Sequence, residues 1–106
     1  MTRRIIFTPK ATQDLDDSFD YIAENDLAAA LRFFDSTRLT IAQIARVPGM
    51  GSIFPTESPR LQGLRKWSVK DFRKYLIFYI EGDDVVEIVR ILYAMRDIGT
   101  ILEGER

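Results

Sequence analysis

The chain has 106 residues, of which 46% are hydrophobic and 29% are charged, and its net charge is −1. This composition is typical of a globular protein, and the length predicts a single domain over residues 1–106 with one modest core. The sequence has no cysteine and no histidine, which excludes disulfides, thiol catalysis, zinc sites with Cys or His ligands, and any histidine base. We expect neither a metal nor a cofactor.

The charges are distributed unevenly along the chain. Residues 11–35 hold seven acidic residues and one basic residue, residues 58–80 hold six basic and one acidic, and residues 81–106 hold seven acidic and three basic. A basic segment in a nearly neutral chain predicts a local patch for one anionic partner surface, with a solvated sheet face as the alternative. No segment approaches the length of a signal peptide or a membrane span, so we expect a cytoplasmic protein without a membrane partner.

The first half of the chain predicts a strand followed by two helices. Residues 3–7 are rich in β-branched side chains, and Thr8 and Pro9 are typical of a helix N-cap and the first helical position. Apolar residues at helical spacing predict a first helix that runs to about residue 24. Asp26 is expected to cap a second helix that ends before Pro48.

Side chains on these two helices are assigned to faces by their spacing. The aspartates of the first helix fall on its polar side, which predicts a solvated face: Asp14, Asp16, Asp17 and Asp20. In the second helix the period places Phe34 in the core, and the adjacent Phe33 is expected to be partly exposed to a partner helix.

The second half predicts three strands. A loop rich in proline and glycine over residues 48–60 precedes strands at 61–69, 74–81 and 85–94. The last two strands are nearly continuous in apolar residues, which predicts burial on both faces or a central position in the sheet. The order β-α-α-β-β-β predicts an α+β fold in which a helical hairpin packs on a small, mostly antiparallel sheet.

Four stretches of the chain carry a family resemblance. They are residues 7–9 leading into 14–17 and 21–23, residues 48–51, residues 63–65 followed by 75–79, and residues 89–93 leading to 96–97. In this order they resemble the RelE/ParE toxin superfamily of bacterial toxin–antitoxin systems, and most closely its ParE branch, also called plasmid-stabilization proteins. Many relatives have a histidine where this chain has Tyr93, so the chain lacks one titratable group.

The resemblance implies a type II toxin held inactive by a cognate antitoxin. For ParE-like members the implied target is DNA gyrase, which the toxin inhibits or poisons. For RelE-like members the implied activity is ribosome-dependent cleavage of mRNA. We expect a gyrase inhibitor rather than an enzyme, because no histidine base is present, Tyr75 stands where an RNA-contacting arginine often lies, and the tail after Arg96 is acidic. A RelE-like endoribonuclease and a non-toxic binding module of the same fold are the alternatives.

Target contacts are expected from basic and aromatic side chains, with no catalytic residue among them: Arg65, Arg73, Lys74, Tyr75, Arg90 and Arg96. Two of these arginines have other interpretations. Arg90 is alternatively paired with Glu87 or with an antitoxin carboxylate, and Arg96 with Asp97.

The antitoxin is expected to seat an amphipathic helix near the helical hairpin and to add a strand at the sheet edge near residues 64–69. Its contact candidates are Phe33, Arg65 and Trp67. We expect no direct sequence-specific nucleic-acid binding by the toxin itself.

Overall fold

The computed structural model describes residues 2–104, which form a five-stranded sheet with helices on both faces. The elements in chain order are β1 (Arg4–Phe7), α1 (Pro9–Ala23), α2 (Leu27–Arg46), β2 (Ser52–Ile53), β3 (Arg65–Val69), β4 (Phe72–Glu81), β5 (Val85–Tyr93) and α3 (Ile98–Glu103). The strand order is β1-β5-β4-β3-β2, and β1 is parallel to β5 while the other neighbours are antiparallel. The predicted α+β fold is confirmed.

The helical hairpin begins at the predicted caps. The Thr8 Oγ1 accepts a hydrogen bond from the Ala11 amide at 3.0 Å, and the Asp26 Oδ1 accepts one from the Ala29 amide at 3.0 Å. Each cap satisfies one of the amides that a helix start leaves without an intrahelical partner. These local signals explain why the predicted boundaries of both helices are confirmed.

Both faces of the central strands are buried, as the continuous apolar runs predicted. One face packs against α1 and α2 through a cluster that includes Leu15, Phe33, Ile44, Ile77 and Ile91. The other face is covered by α3 and the loop before β3, through a cluster that includes Leu61, Leu64, Phe78, Val89 and Leu102. Within residues 2–104, no helix is both long and apolar enough to cross a membrane.

The strand predicted at residues 61–69 is shorter in the structure. β3 starts at Arg65, because Pro59–Leu61 forms a single 3-10 turn and Gly63 adopts a left-handed φ of 83°. Leu61 and Leu64 thereby turn into the cluster beneath α3. The short strand β2 and the helix α3 lie outside the predicted elements.

The assignment of the two adjacent phenylalanines was wrong. Phe33 is fully buried and packs edge-on against Phe72, with ring centroids 5.4 Å apart. Phe34 is 37% exposed and contacts Phe19 of α1. The helix turns Phe33 towards the sheet together with Thr37 and Ile44, which lie at spacings of four and eleven residues from it and are also buried.

Candidate functional site

A cleft of about 590 Å³ opens between α1 and the adjoining ends of β4 and β5. We call it the tyrosine cleft, and its lining residues are Asp14, Asp17, Ser18, Tyr21, Tyr75, Ile91, Tyr93 and Arg96. Four parts of the chain supply them: α1, β4, β5, and the segment between β5 and α3. The volume lies in the range of small-ligand and side-chain binding pockets.

One wall of the cleft is fixed because α1 is bonded to β5 where β1 ends. β1 pairs with β5 only as far as Ile88, and beyond that point the Thr8 hydroxyl donates to the Val89 carbonyl at 2.7 Å. The Asp14 Oδ2 accepts from the Ile91 amide at 3.0 Å. These bonds satisfy a strand edge that would otherwise lack partners.

Asp14 also forms a bidentate ion pair with Arg90. The Arg90 Nε donates to Oδ2 at 2.7 Å and Nη2 donates to Oδ1 at 2.8 Å, and the two side chains are only 13% and 8% exposed. Paired hydrogen bonds of this kind fix geometry as well as adding attraction. The prediction of a solvated Asp14 was therefore wrong, and so was the pairing of Arg90 with Glu87, which lies 3.5 Å from Arg60 instead.

Two tyrosine rings form the floor of the cleft, and one of them packs against the hydrophobic core. The Tyr75 and Tyr93 ring centroids lie 5.1 Å apart, and Tyr75 lies 4.8 Å from the ring of the buried Phe33. Burial, with smaller contributions from Tyr93 and Tyr21, raises the pKa of Tyr75 above 10.0. The rings are thus held in place before any partner binds, with a protonated Tyr75 hydroxyl at neutral pH.

The charges of the cleft nearly balance. Asp14 is neutralised by Arg90, while Asp17 and Arg96 have no ion-pair partner among residues 2–104. Asp97 caps α3, where its Oδ2 accepts from the Thr100 hydroxyl at 2.8 Å. The cleft therefore offers stacking surfaces, hydroxyls, one guanidinium and one carboxylate.

Within the described part of the chain, no group of three Asp or Glu residues is placed to hold a metal ion. The cleft also lacks the histidine that would serve as a base near neutral pH, because the chain has none.

Of the predicted target contacts, Tyr75 and Arg96 line the cleft and Arg90 supports it through Asp14. Arg65 lies elsewhere: its Nη1 donates to the Gly51 carbonyl at 2.6 Å, which holds the loop before β2. Arg73 and Lys74 are both exposed, and Arg73 lies beside Trp67 and α2, away from the cleft. The predicted basic patch is therefore divided between two surfaces.

The loop of residues 48–51 is locked by Tyr79. The buried Tyr79 hydroxyl donates to the Pro48 carbonyl at 2.6 Å and accepts from the Gly51 amide at 2.9 Å. A Cβ on Gly51 would clash with that hydroxyl oxygen, so glycine is required there. Burial raises the pKa of Tyr79, although the Gly51 amide and Arg65 act in the opposite direction.

The predicted site omitted the α1 wall of the cleft. Asp14, Asp17, Ser18 and Tyr21 occur at spacings of three, four and seven residues, so they share one helix face. That spacing could have indicated a shared face, but the run of aspartates was interpreted as a solvated surface. Of the predicted antitoxin contacts, Trp67 is 40% exposed, Arg65 is half-buried and Phe33 is inaccessible.

Comparison with known proteins identifies the family. Residues 5–98 match the family model described as "ParE toxin of type II toxin-antitoxin system, parDE". The chain belongs to this ParE toxin family. A solved chain described as "Chromosomal ParDE TA system from P. aeruginosa" is 22% identical, with 87% of this chain and 96% of that chain covered at a TM-score of 0.68. That likeness shows a shared fold. No curated protein matches the sequence.

Proposed function

We propose that this ParE-family toxin inhibits or poisons DNA gyrase in the cytoplasm, and that a cognate antitoxin neutralises it. Family membership supports a toxin role, since the family model is that of a type II system toxin. The tyrosine cleft supports a protein target, because tyrosine and arginine are enriched among the residues that dominate protein–protein binding energy.

The observation that carries this choice is the charge of the cleft and its surroundings. Asp17 lines the cleft with an exposed carboxylate, and Asp16 and Asp20 are exposed elsewhere on α1. A phosphate backbone approaching Arg96 would meet the Asp17 carboxylate in the same cleft, which disfavours nucleic acid. A protein surface that carries its own polar and basic groups meets no such repulsion, so a protein target fits the cleft better than RNA does.

Ribosome-dependent mRNA cleavage is the second candidate, because one observation favours it. Tyr75, Tyr93 and Arg96 line the same cleft, where rings could stack a base and the guanidinium could hold a phosphate. Cleavage would also need a base for the 2′-hydroxyl, and no histidine exists to supply one. The gyrase proposal requires no such group.

Purified protein distinguishes the two activities. One set of reactions measures supercoiling by gyrase and the accumulation of cleaved DNA complexes at increasing toxin. A parallel set maps cuts in an mRNA during translation. We expect loss of supercoiling with the mRNA intact. Cut mRNA with unaffected gyrase would overturn the proposal in favour of the nuclease.

The neutralisation part is tested separately in cells. Expression of the chain should arrest growth, and one clone from the host's own genome should restore it by encoding the antitoxin. The suppressor must also bind the purified chain. Unimpaired growth on induction would support a non-toxic binding module instead.

A further inference from the structure

Three tyrosine rings from separate parts of the chain line the tyrosine cleft. Tyr21 comes from α1, Tyr75 from β4 and Tyr93 from β5. Burial raises the pKa of Tyr75, and Tyr93 and Tyr21 raise it further, which shows that both lie near its hydroxyl. The electron-rich face of a tyrosine ring attracts a cation within about 6 Å of its centroid. A cleft lined by three such rings therefore favours a cationic group.

One carboxylate of the cleft lacks a cationic partner. Within residues 2–104 Asp17 forms no ion pair, and its Oδ1 accepts a hydrogen bond from the neutral Gln13 side chain at 2.8 Å. Asp14, the other acid of the lining, is already neutralised by its ion pair. Asp17 and Tyr21 are four positions apart on α1, so their side chains are neighbours on one helix face. This side of the cleft offers a carboxylate next to an aromatic ring.

Arg96 adds a positive charge to the lining. It comes from the segment after β5, and within residues 2–104 it forms no ion pair with Asp17. Because like charges repel, a cationic occupant fits the side formed by Asp17 and Tyr21 better than the side formed by Arg96. A planar guanidinium suits that side better than a lysine ammonium, since it stacks on a ring and pairs with a carboxylate through two hydrogen bonds.

We propose that the tyrosine cleft binds an arginine side chain of the target protein, with its guanidinium paired to Asp17 and stacked on Tyr21. The alkyl stem of that arginine then lies over the floor formed by Tyr75 and Tyr93. Arg96 stays available for an acidic or carbonyl group of the same target. This proposal deepens the proposed function, on which it rests for a protein target.

The binding test uses two small probes of the same shape. N-acetyl-arginine amide carries the guanidinium, and N-acetyl-citrulline amide replaces it with an uncharged urea. NMR signals of the tyrosine rings in the full chain measure both affinities, and the buried Tyr79 is the internal reference. We expect the arginine probe to shift the three cleft tyrosines and to bind at least about fivefold more tightly than the citrulline probe. Equal affinities, or no shift with either probe, would overturn the proposal.

Two pairs of variants separate the ring from the carboxylate. Tyr21→Phe keeps an aromatic face and should bind the arginine probe within about twofold of the parent, whereas Tyr21→Leu should weaken binding at least about threefold. Asp17→Asn should also weaken binding at least about threefold. Asp16→Asn is its matched control, because Asp16 is exposed on the same helix outside the cleft lining. Equal affinities within either pair would contradict the proposed contacts.

Arg96→Ala distinguishes a cationic occupant from an anionic one. Removal of this like charge should leave the affinity for the arginine probe unchanged or increase it. Uridine monophosphate is the matching probe for nucleic acid, and it should bind the parent more weakly than the arginine probe does. Tighter binding of the nucleotide, or loss of arginine binding in Arg96→Ala, would overturn the proposal in favour of a nucleic-acid site.

Gyrase assays then separate this proposal from the proposed function. Tyr21→Leu and Asp17→Asn should each need at least about threefold more protein than the parent for half-maximal inhibition, and Asp16→Asn should match the parent. Normal arginine binding with unaffected gyrase would overturn gyrase as the target and leave the arginine site intact. Full inhibition by both cleft variants would overturn the arginine site and leave gyrase as the target.

Discussion

The tyrosine cleft and the surface where α2 meets the edge of β3 flank the same helical hairpin, yet they are built differently. We call the second one the edge surface, and its residues are Leu39, Trp67, Lys70 and Arg73. The cleft is nearly neutral: its Tyr75 ring packs on the buried Phe33 and contacts Tyr93, and its wall is held by the Asp14–Arg90 pair. The edge surface is basic and carries exposed apolar side chains, and within the described residues no strand covers the end of β3. The contrast teaches that one small domain can offer a preformed pocket and an open strand edge within one fold.

Loss of the Asp14–Arg90 ion pair should have the largest effect on the stability of the protein. Asp14→Ala leaves Arg90 without its carboxylate and the Ile91 amide without its acceptor, so we expect a loss of about 3–5 kcal/mol in the free energy of unfolding. Urea unfolding measures this loss. Asp17→Ala on the same helix is the control and should change stability by less than about 0.5 kcal/mol. If Asp14→Ala and Asp17→Ala lowered the free energy of unfolding equally, the Asp14–Arg90 pair would have no special role in stability.

Loss of the Tyr79 hydroxyl should have the next largest effect on stability, because it holds the loop of residues 48–51 after α2. Tyr79→Phe removes the partner of both Pro48 and Gly51, which costs about 1–3 kcal/mol of unfolding free energy. Thermal or urea unfolding at neutral pH checks this value. Gyrase inhibition should persist wherever the variant is folded, because Tyr79 lies outside the cleft lining.

The same tyrosine predicts a dependence on alkaline pH. Its pKa is raised in the folded protein, so the protonated hydroxyl stabilises the fold below about pH 10 and this contribution is lost as pH rises through the folded-state pKa. Tyr79→Phe should therefore lose less stability than the parent between pH 9 and pH 11, with both limits being approximate. Parallel stability curves for the two proteins would contradict this.

A matched pair of exposed side chains compares the two surfaces directly. Tyr21 of the cleft is 67% exposed and Leu39 of the edge surface is 69% exposed. Tyr21→Ala should weaken gyrase inhibition about tenfold and leave antitoxin affinity unchanged, while Leu39→Ala, at the surface where the resemblance places the antitoxin, should do the reverse. Each change should shift stability by less than about 0.5 kcal/mol. If both variants lose both activities, the two surfaces are not separate.

Local signals in the sequence predicted much of the fold. Thr8, Pro9 and Asp26 define helix starts within a few residues of themselves, and the apolar runs of β4 and β5 announce burial on both faces. α3 is six residues long and β2 two, too short for periodicity to reveal. Those two elements depend on tertiary contacts.

The site was harder to predict, because it also depends on contacts between residues far apart in the sequence. Asp14 and Arg90 are 76 positions apart, and nothing local distinguishes that aspartate from its exposed neighbours Asp16 and Asp17. The adjacent Phe33 and Phe34 fit the helical period almost equally well, and only the docking of α2 on the sheet determines which one is buried. Tyr75 and Arg96, two of the predicted target contacts, line the cleft, but Tyr21 of the same lining comes from the other half of the chain.

The most direct test of the account is the inhibition of purified gyrase by the parent, by Arg96→Ala and by Arg38→Ala. Arg96 is exposed at the cleft, and Arg38 is an exposed arginine of α2 outside it. We predict that the parent and Arg38→Ala inhibit supercoiling equally and that Arg96→Ala requires about ten times more protein. Full inhibition by Arg96→Ala, or no inhibition by the parent, would contradict a gyrase inhibitor that acts through the tyrosine cleft.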